Sequence, residues 1–250
     1  VLADDVMQAL SQRSAVEVTT PALNPAQAHT QTGQMWRRMA ERLSDSWRTI
    51  PHFFLKREIR AEGLIQWRQQ LAARSEVKIT FTDLLVKLTA AALKEHPHVN
   101  GSWTDEGVTF NSHINIGLAI AVEEGLLVPV IHDAGQLGVT LIAERRQELV
   151  ERSLRGKLKA GDLDGGTFTI SNLGMYDIDE FSAIVNPPQA AILAVGRISD
   201  RVVPVNGQAV ICPMMTLTRA CDHRAVYGAH AAQFLKSLAQ LIEDPLRLID

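Results

Sequence analysis

Two cysteines in 250 residues are too few for a disulfide framework, and Cys212 and Cys221 do not stand at metal-ligand spacing. Such thin cysteine usage fits a reducing, intracellular setting. No stretch of about 18 apolar residues occurs, so the sequence offers no helix to span a bilayer. A net charge of −3, from 25 Lys and Arg against 28 Asp and Glu, supplies no basic surface for a nucleic-acid backbone. The opening Val1-Leu2-Ala3-Asp4-Asp5 lacks the basic and apolar regions of a secretory signal, and the missing initial methionine suggests a processed or shortened chain. No internal repeat is present. Gly165-Gly166 has neither the spacing nor the place before a helix that dinucleotide binding needs. What is there is a chain 46% hydrophobic, long enough for one large domain or one domain with an appendage.

Residues 1–12 read as the end of a small helical unit. Residues 13–32 have linker composition, with Pro21 and Pro25 keeping the backbone extended. The folded domain is placed at 33–250. Met35, Met39, Leu43 and Trp47 recur at helical spacing opposite Arg37, Arg38, Glu41 and Arg42, and Pro51 closes that helix. A strand follows over 52–59, then a helix over 61–74. Thr80 with Asp83 three residues on forms a capping box that opens a third helix, ended at Pro97. A hairpin is predicted over 101–110. The runs 114–122 and 126–131 are rich in β-branched residues and read as interior strands covered on both faces. An amphipathic helix over 139–154, a strand entering a glycine-bounded turn over 165–174, strands near 190–198, 202–205 and 209–217, and a last helix over 229–242 complete the set. Strands and helices interleave without a strict βαβ rhythm, which predicts an α/β domain with a mixed sheet and helices packed on one face.

The stretch Arg219-Ala220-Cys221-Asp222-His223-Arg224-Ala225-Val226-Tyr227-Gly228 carries the strongest chemical signal. An alternating strand pattern stops at Asp222-His223-Arg224 and a helix begins near Gly228. That corner lets an imidazole face a cleft; local sequence equally allows His223 to decorate a turn. Cys221 reads as a buried structural cysteine rather than a nucleophile. His96-Pro97-His98 finds no third residue spaced to complete a metal site and reads as a surface loop.

Several blocks upstream stand in a telling order: Met39-Ala40-Glu41-Arg42 ahead of Ile50-Pro51-His52-Phe53, Ile116-Gly117-Leu118-Ala119, and Gly125-Leu126-Leu127-Val128-Pro129-Val130-Ile131. Then come Gly165-Gly166-Thr167-Phe168-Thr169-Ile170-Ser171-Asn172-Leu173-Gly174, Asn186-Pro187-Pro188-Gln189-Ala190, Ile192-Leu193-Ala194-Val195-Gly196 and Asp222-His223-Arg224. From about Gly33 onward the chain thereby resembles the catalytic domain of the dihydrolipoamide acyltransferases, core components of 2-oxo acid dehydrogenase complexes. Residues 1–10 are similar to the end of a peripheral-subunit-binding domain, which would make the chain the C-terminal part of a longer protein.

The resemblance implies a chloramphenicol-acetyltransferase-like fold, with the active site between subunits of a trimer and trimers built into a larger cage. It implies acyl transfer between dihydrolipoamide and coenzyme A, the lipoyl group residing on an upstream domain, with no metal. Decarboxylase and dihydrolipoamide dehydrogenase components are the implied partners, and bacterial cytoplasm or mitochondrial matrix the implied location. His223 matches the general base, since imidazole titrates at about 6.5 and a thiol at about 8.5. Ser171 matches the hydroxyl that stabilises the oxyanion, with a turn-capping serine as the alternative. Asn172 and Arg224 are supporting candidates, Asn172 also fitting a left-handed turn. The family motif reads His-x-x-x-Asp-Gly, and here Tyr227, one of two tyrosines, stands at the aspartate position. A carboxylate there would cap the helix, hold an arginine and fix the histidine loop. Tyr227 therefore opens two alternatives: a weakened core that mainly scaffolds partners, or a stand-alone acetyltransferase acting on a small hydroxyl compound. Asp177 is a second departure, at a usual glycine. Leu241, Ile242, Leu246, Leu248 and Ile249 fit either a contact between trimers or packing within the subunit.

Overall fold

The computed structural model describes residues 33–248; the readings of 1–12 and 13–32, and Ile249, lie outside these residues. In chain order the main elements are α1 (Gln34–Thr49), β1 (His52–Arg60), α2 (Glu62–Ala72), α3 (Phe81–Glu95), β2 (Gly101–Thr104) and β3 (Gly107–Phe110). They continue with β4 (Ile116–Leu118), β5 (Ile120–Val122), β6 (Gly125–Leu127), β7 (Val130–Ile131), α4 (Val139–Leu154), α5 (Ala160–Leu163) and β8 (Phe168–Asn172). Last come β9 (Ala191–Val195), β10 (Ser199–Val205), β11 (Gln208–Asp222) and α6 (Gly228–Glu243).

A seven-stranded mixed sheet runs β1-β11-β9-β8-β4-β7, with β10 also paired to β11. Among the described residues, parallel pairing is confined to β8 with β9 and β4 with β8. Alternation along the strands sets two faces. Leu217 and Cys221 of β11, Leu193 of β9 and Phe168 and Ile170 of β8 meet Leu84 and Leu88 of α3 and Phe234 and Leu238 of α6 in the main core. Ala220 and Ile192 turn the other way and pack on Ile50 and Val185. Burial of each such large side chain stabilises by about 1.5–3 kcal/mol.

The capping box forms as the sequence predicts. Asp83 Oδ2 accepts from Thr80 N at 2.7 Å while Thr80 Oγ1 accepts from Asp83 N at 3.4 Å. Asp83 is fully buried and also takes Arg146 Nε of α4 at 2.7 Å, so one carboxylate starts α3 and ties α4 to it. Of the helices, α1 packs apart from this layer. Its Ser46 Oγ donates to Val185 O at 2.6 Å and its Arg42 to Pro187 O. His52, at the start of β1, donates through Nδ1 to Ile50 O (2.9 Å) and accepts at Nε2 from Val185 N (3.0 Å).

The two apolar runs at 114–122 and 126–131 differ from expectation. Only β4 and β7 join the main sheet as fully buried strands. The chain between them folds out as a separate hairpin of β5 and β6 with half-exposed residues. Pro129 supplies the reason: without an N–H it offers only its carbonyl, which takes Leu118 N at 2.8 Å, and Ala119 N then crosses to Ile170 O at 3.0 Å. Leu241 and Ile242 are buried inside the domain, Leu248 packs against the same core, and of these four apolar residues Leu246 alone is exposed.

Candidate active site

Strand β11 delivers His223. Its last ladder bond runs from Asp222 N to Ala190 O at 2.8 Å, after which Ala225 N and Val226 N both bond Asp222 O (3.1 and 2.9 Å) and turn the chain. His223 N is held by Pro51 O at 3.1 Å, while Ala225 and Val226 point inward. The imidazole is thereby left exposed on a backbone that is tied on every side. Its ring lies 4.6 Å from that of Phe53 and 6.4 Å from that of Tyr227. Among the described residues nothing hydrogen-bonds its ring nitrogens.

Asp222, buried, accepts from Arg224 N at 3.0 Å and from the Arg224 guanidinium through Nε and Nη2 at 2.7–3.2 Å. That guanidinium lies 5.5 Å over the Trp103 ring. Holding an arginine and fixing the histidine loop, two tasks expected of a carboxylate at position 227, are thus carried by Asp222. Tyr227 itself precedes α6 and its side chain caps nothing. Its ring is 63% exposed and lies 6.3 Å from that of His230, which stacks on His98 at 4.6 Å and 11°.

Ser171 sits near the end of β8. Because Phe168 and Ile170 face the helices, Thr169 and Ser171 face the other way, where Thr169 donates to Gln189 Oε1 at 2.6 Å. Ser171 is half-buried and its hydroxyl has no partner among the described residues. The capping alternative finds no bond to support it. Asn172 does form a turn: its Oδ1 accepts from Gly174 N at 2.9 Å and its Nδ2 donates to Thr82 Oγ1 at 3.2 Å. The left-handed backbone that Asn172 would tolerate falls instead on Asp177, at φ 63 and ψ 27, with its carboxylate bound to Arg197. Aspartate adopts this conformation at modest cost, which explains how it fills a usual glycine position.

Register separates the two principal candidates within one chain. Ser171 is opposite Ala194, and Ala194 is opposite Thr218, whereas His223 follows Asp222 at the far end of β11. Two strand spacings and four to five residues place their Cα atoms on the order of 15–20 Å apart. One chain does not bring its own histidine to its own serine.

Cys221 is fully buried on the helix face, and burial pushes its thiol up to about 11. A thiol so placed is no nucleophile. His96 is not a free loop residue: its Nε2 meets Ser237 Oγ at 2.8 Å, and burial lowers its pKa, with Arg219 and His230 adding to the effect and Glu95 opposing it. Sequence reading passed over Arg219. It is wholly buried two residues before Cys221, its Nη1 donates to Ala231 O at 3.0 Å, and its guanidinium lies 4.8 Å over Phe234. Nε and Nη2 have no hydrogen-bond partner among the described residues, and desolvation lowers its pKa, with the neighbouring Cys221 opposing the effect. The signal was available as a lone charge inside an otherwise apolar strand segment.

Residues 24–249 match the family model described as 2-oxoacid dehydrogenases acyltransferase (catalytic domain). The chain is 41% identical over 213 residues to the dihydrolipoyllysine-residue acetyltransferase component of the mitochondrial pyruvate dehydrogenase complex of Dictyostelium discoideum, covering 84% of this chain and 34% of that protein. Its similarity to the Schizosaccharomyces pombe counterpart is 37% over 251 residues, 96% of this chain and 52% of that protein. The chain therefore spans about a third to a half of the length of these relatives. A structure of Azotobacter vinelandii dihydrolipoamide acetyltransferase, solved to study the role of a serine, a histidine and an asparagine in its catalytic mechanism, superposes with TM-score 0.85 at 32% identity, covering 89% and 93% of the two chains. The cubic core of a pyruvate dehydrogenase multienzyme complex aligns with the same TM-score, identity and coverage. Chloramphenicol acetyltransferase, at 14% identity and TM-score 0.53 over 81% of this chain and 94% of that one, shares the fold.

Proposed function

Because the chain belongs to the 2-oxoacid dehydrogenase acyltransferase catalytic-domain family, we propose that it transfers an acetyl group between a dihydrolipoyl thiol and coenzyme A. The observation that carries this reading is an exposed imidazole on a fixed turn together with an unpartnered serine hydroxyl at matching spacing. In the Azotobacter vinelandii enzyme the serine stands 52 positions before the histidine and the asparagine four after it, as Ser171 and Tyr227 stand to His223.

His223 accepts the proton of the attacking thiol, and the thiolate adds to the thioester carbonyl. Ser171 of a neighbouring subunit donates a hydrogen bond to the oxyanion. Collapse expels the second thiolate, which takes the proton back from the imidazolium, so no proton is gained or lost. Burial of Asp222 with Arg224 at its side keeps the turn in place through the cycle. Asn172 shapes the turn after Ser171. Trimers supply the neighbouring subunit, and the cubic core of a relative supports their assembly into a cage that binds the decarboxylase and dihydrolipoamide dehydrogenase components. Residues 1–12 are the tail of a peripheral-subunit-binding domain, 13–32 a linker and 33–250 the catalytic domain, in bacterial cytoplasm or mitochondrial matrix. The scaffold alternative draws no support from relatives named as acetyltransferases.

Acyl transfer from acetyl coenzyme A to dihydrolipoamide tests the reading. His223→Ala is expected to lower kcat by about 10²–10⁴-fold and Ser171→Ala by about 10²–10³-fold. An inactive native chain, or a fully active His223→Ala variant, would overturn it. A faster rate with succinyl or branched-chain donors would replace acetyl, and a lone trimer by light scattering would remove the cage.

A further inference from the structure

We infer that Tyr227 is a positioning residue, holding the His223 imidazole through edge-to-face ring packing where a relative has an asparagine. The inference rests on the reading of His223 as general base.

First, the backbone of the 222–226 turn is fixed, so the freedom left to His223 is rotation of its side chain. His223 N is bonded to Pro51 O, and Asp222 O takes two further amides. Second, that rotation is not restrained by hydrogen bonding, since neither ring nitrogen has a partner among the described residues. Histidine bases are commonly oriented by a partner on the nitrogen that does not react. Here rings do the work instead. Phe53, from β1, meets the imidazole at 4.6 Å and 54°, and Tyr227, from the start of α6, meets it at 6.4 Å and 71°. Both separations fall in the range where aromatic pairs attract beyond their buried area.

Third, the other reasons for a tyrosine here fail. Its side chain makes no cap to α6. At 63% exposure it contributes little to the core. Fourth, its own orientation is supported from behind. Tyr227 O accepts Ala231 N at 3.0 Å, which sets the backbone, and His230 packs on the ring at 6.3 Å. His230 in turn stacks on His98, and His98 stands edge-on to Phe110 at 4.9 Å and 88°. The imidazole is thus held between Phe53 and Tyr227 in a continuous row of rings running from Phe53 of β1 to Phe110 of β3. An orienting device made of ring faces leaves both imidazole nitrogens available to substrate.

Steady-state acyl transfer by the assembled protein tests this. Tyr227→Ala, which removes the ring, is expected to lower kcat on the order of tenfold with KM for dihydrolipoamide unchanged. Tyr227→Phe, which keeps the ring and drops the hydroxyl, is expected to restore most of that loss, and Tyr227→Leu, of similar bulk but not planar, to restore little. Native assembly size and Tm accompany each measurement, and if Tyr227→Ala fails to assemble, the Leu and Phe variants are compared directly. Equal kcat in the Leu and Phe variants, or a Phe variant as slow as Ala, overturns the positioning role. His223→Ala separates the two levels. If it is inactive while Tyr227→Ala runs at the native rate, positioning alone falls; if it stays active, the base assignment falls with it.

Discussion

Asp222 and Arg224 are joined by three side-chain hydrogen bonds of 2.7–3.2 Å on either side of His223, the residue between them. The pair closes the turn with one partner 3% exposed and the other 34% exposed. Asp222→Ala is therefore expected to cost about 1–3 kcal/mol, less than a fully buried pair because water already reaches Arg224. With the turn loosened, kcat should fall by about 10²-fold. Thermal unfolding and steady-state rates measured on one preparation check both, and an Asp222→Ala chain with native Tm and native rate would remove the clamp from the account.

Separation of Ser171 from His223 within a chain gives a complementation prediction. A His223→Ala chain and a Ser171→Ala chain, each strongly slowed alone, should regain rate when unfolded together and reassembled as mixed oligomers. Some interfaces then pair an intact histidine with an intact serine. Mixing without exchange is the control, and absence of any regained rate in verified hybrids would place both groups in one chain.

Burial of Cys221 sets a pH limit. Its folded pKa of about 11 lies above the ordinary thiol value of 9.0. A group raised in this way contributes stability that is complete below its unfolded pKa and lost as pH rises through the folded one. Stability should therefore decline between about pH 9 and pH 11, by on the order of 2–3 kcal/mol from this residue. Denaturant titrations of the native protein and of Cys221→Ala across that window check it, the variant showing the shallower decline.

Arg219 leads to an opposite expectation for a charged residue in a folded core. Two of its nitrogens are buried without partners, and no carboxylate stands against it among the described residues. Unmet donors of this kind cost about 1–3 kcal/mol. Arg219→Met, which keeps the stem over Phe234, should raise stability by about that amount, read as an increase in Tm. A fall of similar size would show that the bond to Ala231 O outweighs the unmet donors.

The architecture was written plainly where local chemistry is self-contained. Helix α4 follows its apolar stripe to the residue, the hairpin of β2 and β3 follows its Asp105-Glu106 turn, and α3 follows its capping box. Legibility failed where distant backbone decided the outcome. The run at 114–122 reads as one strand, yet the break at Ala119 depends on carbonyls of Pro129 and Ile170. At the site, the corner bearing His223 and the strand bearing Ser171 were both legible. The partnership of Asp222 with Arg224 was not, since a side chain folding back on its near neighbour leaves no periodicity. Nor was the row of rings behind Tyr227, which joins β1, α6 and β3 only once all three are folded.

Strand β11 has a further consequence. Over its fifteen residues it runs about 45 Å, from a tip where Ile211 is 70% exposed to the turn that carries the imidazole. Tip and turn are two ends of one stiff beam, paired along its length by β10, β9 and β1. A slip of one residue anywhere along that beam would reverse which side chains face the helices and carry His223 off its post. Sequence drift at the tip is therefore tolerable as a change of side chains and intolerable as a change of length. Insertions and deletions in this part of the molecule belong in the Asn206-Gly207 loop, where the beam has yet to begin.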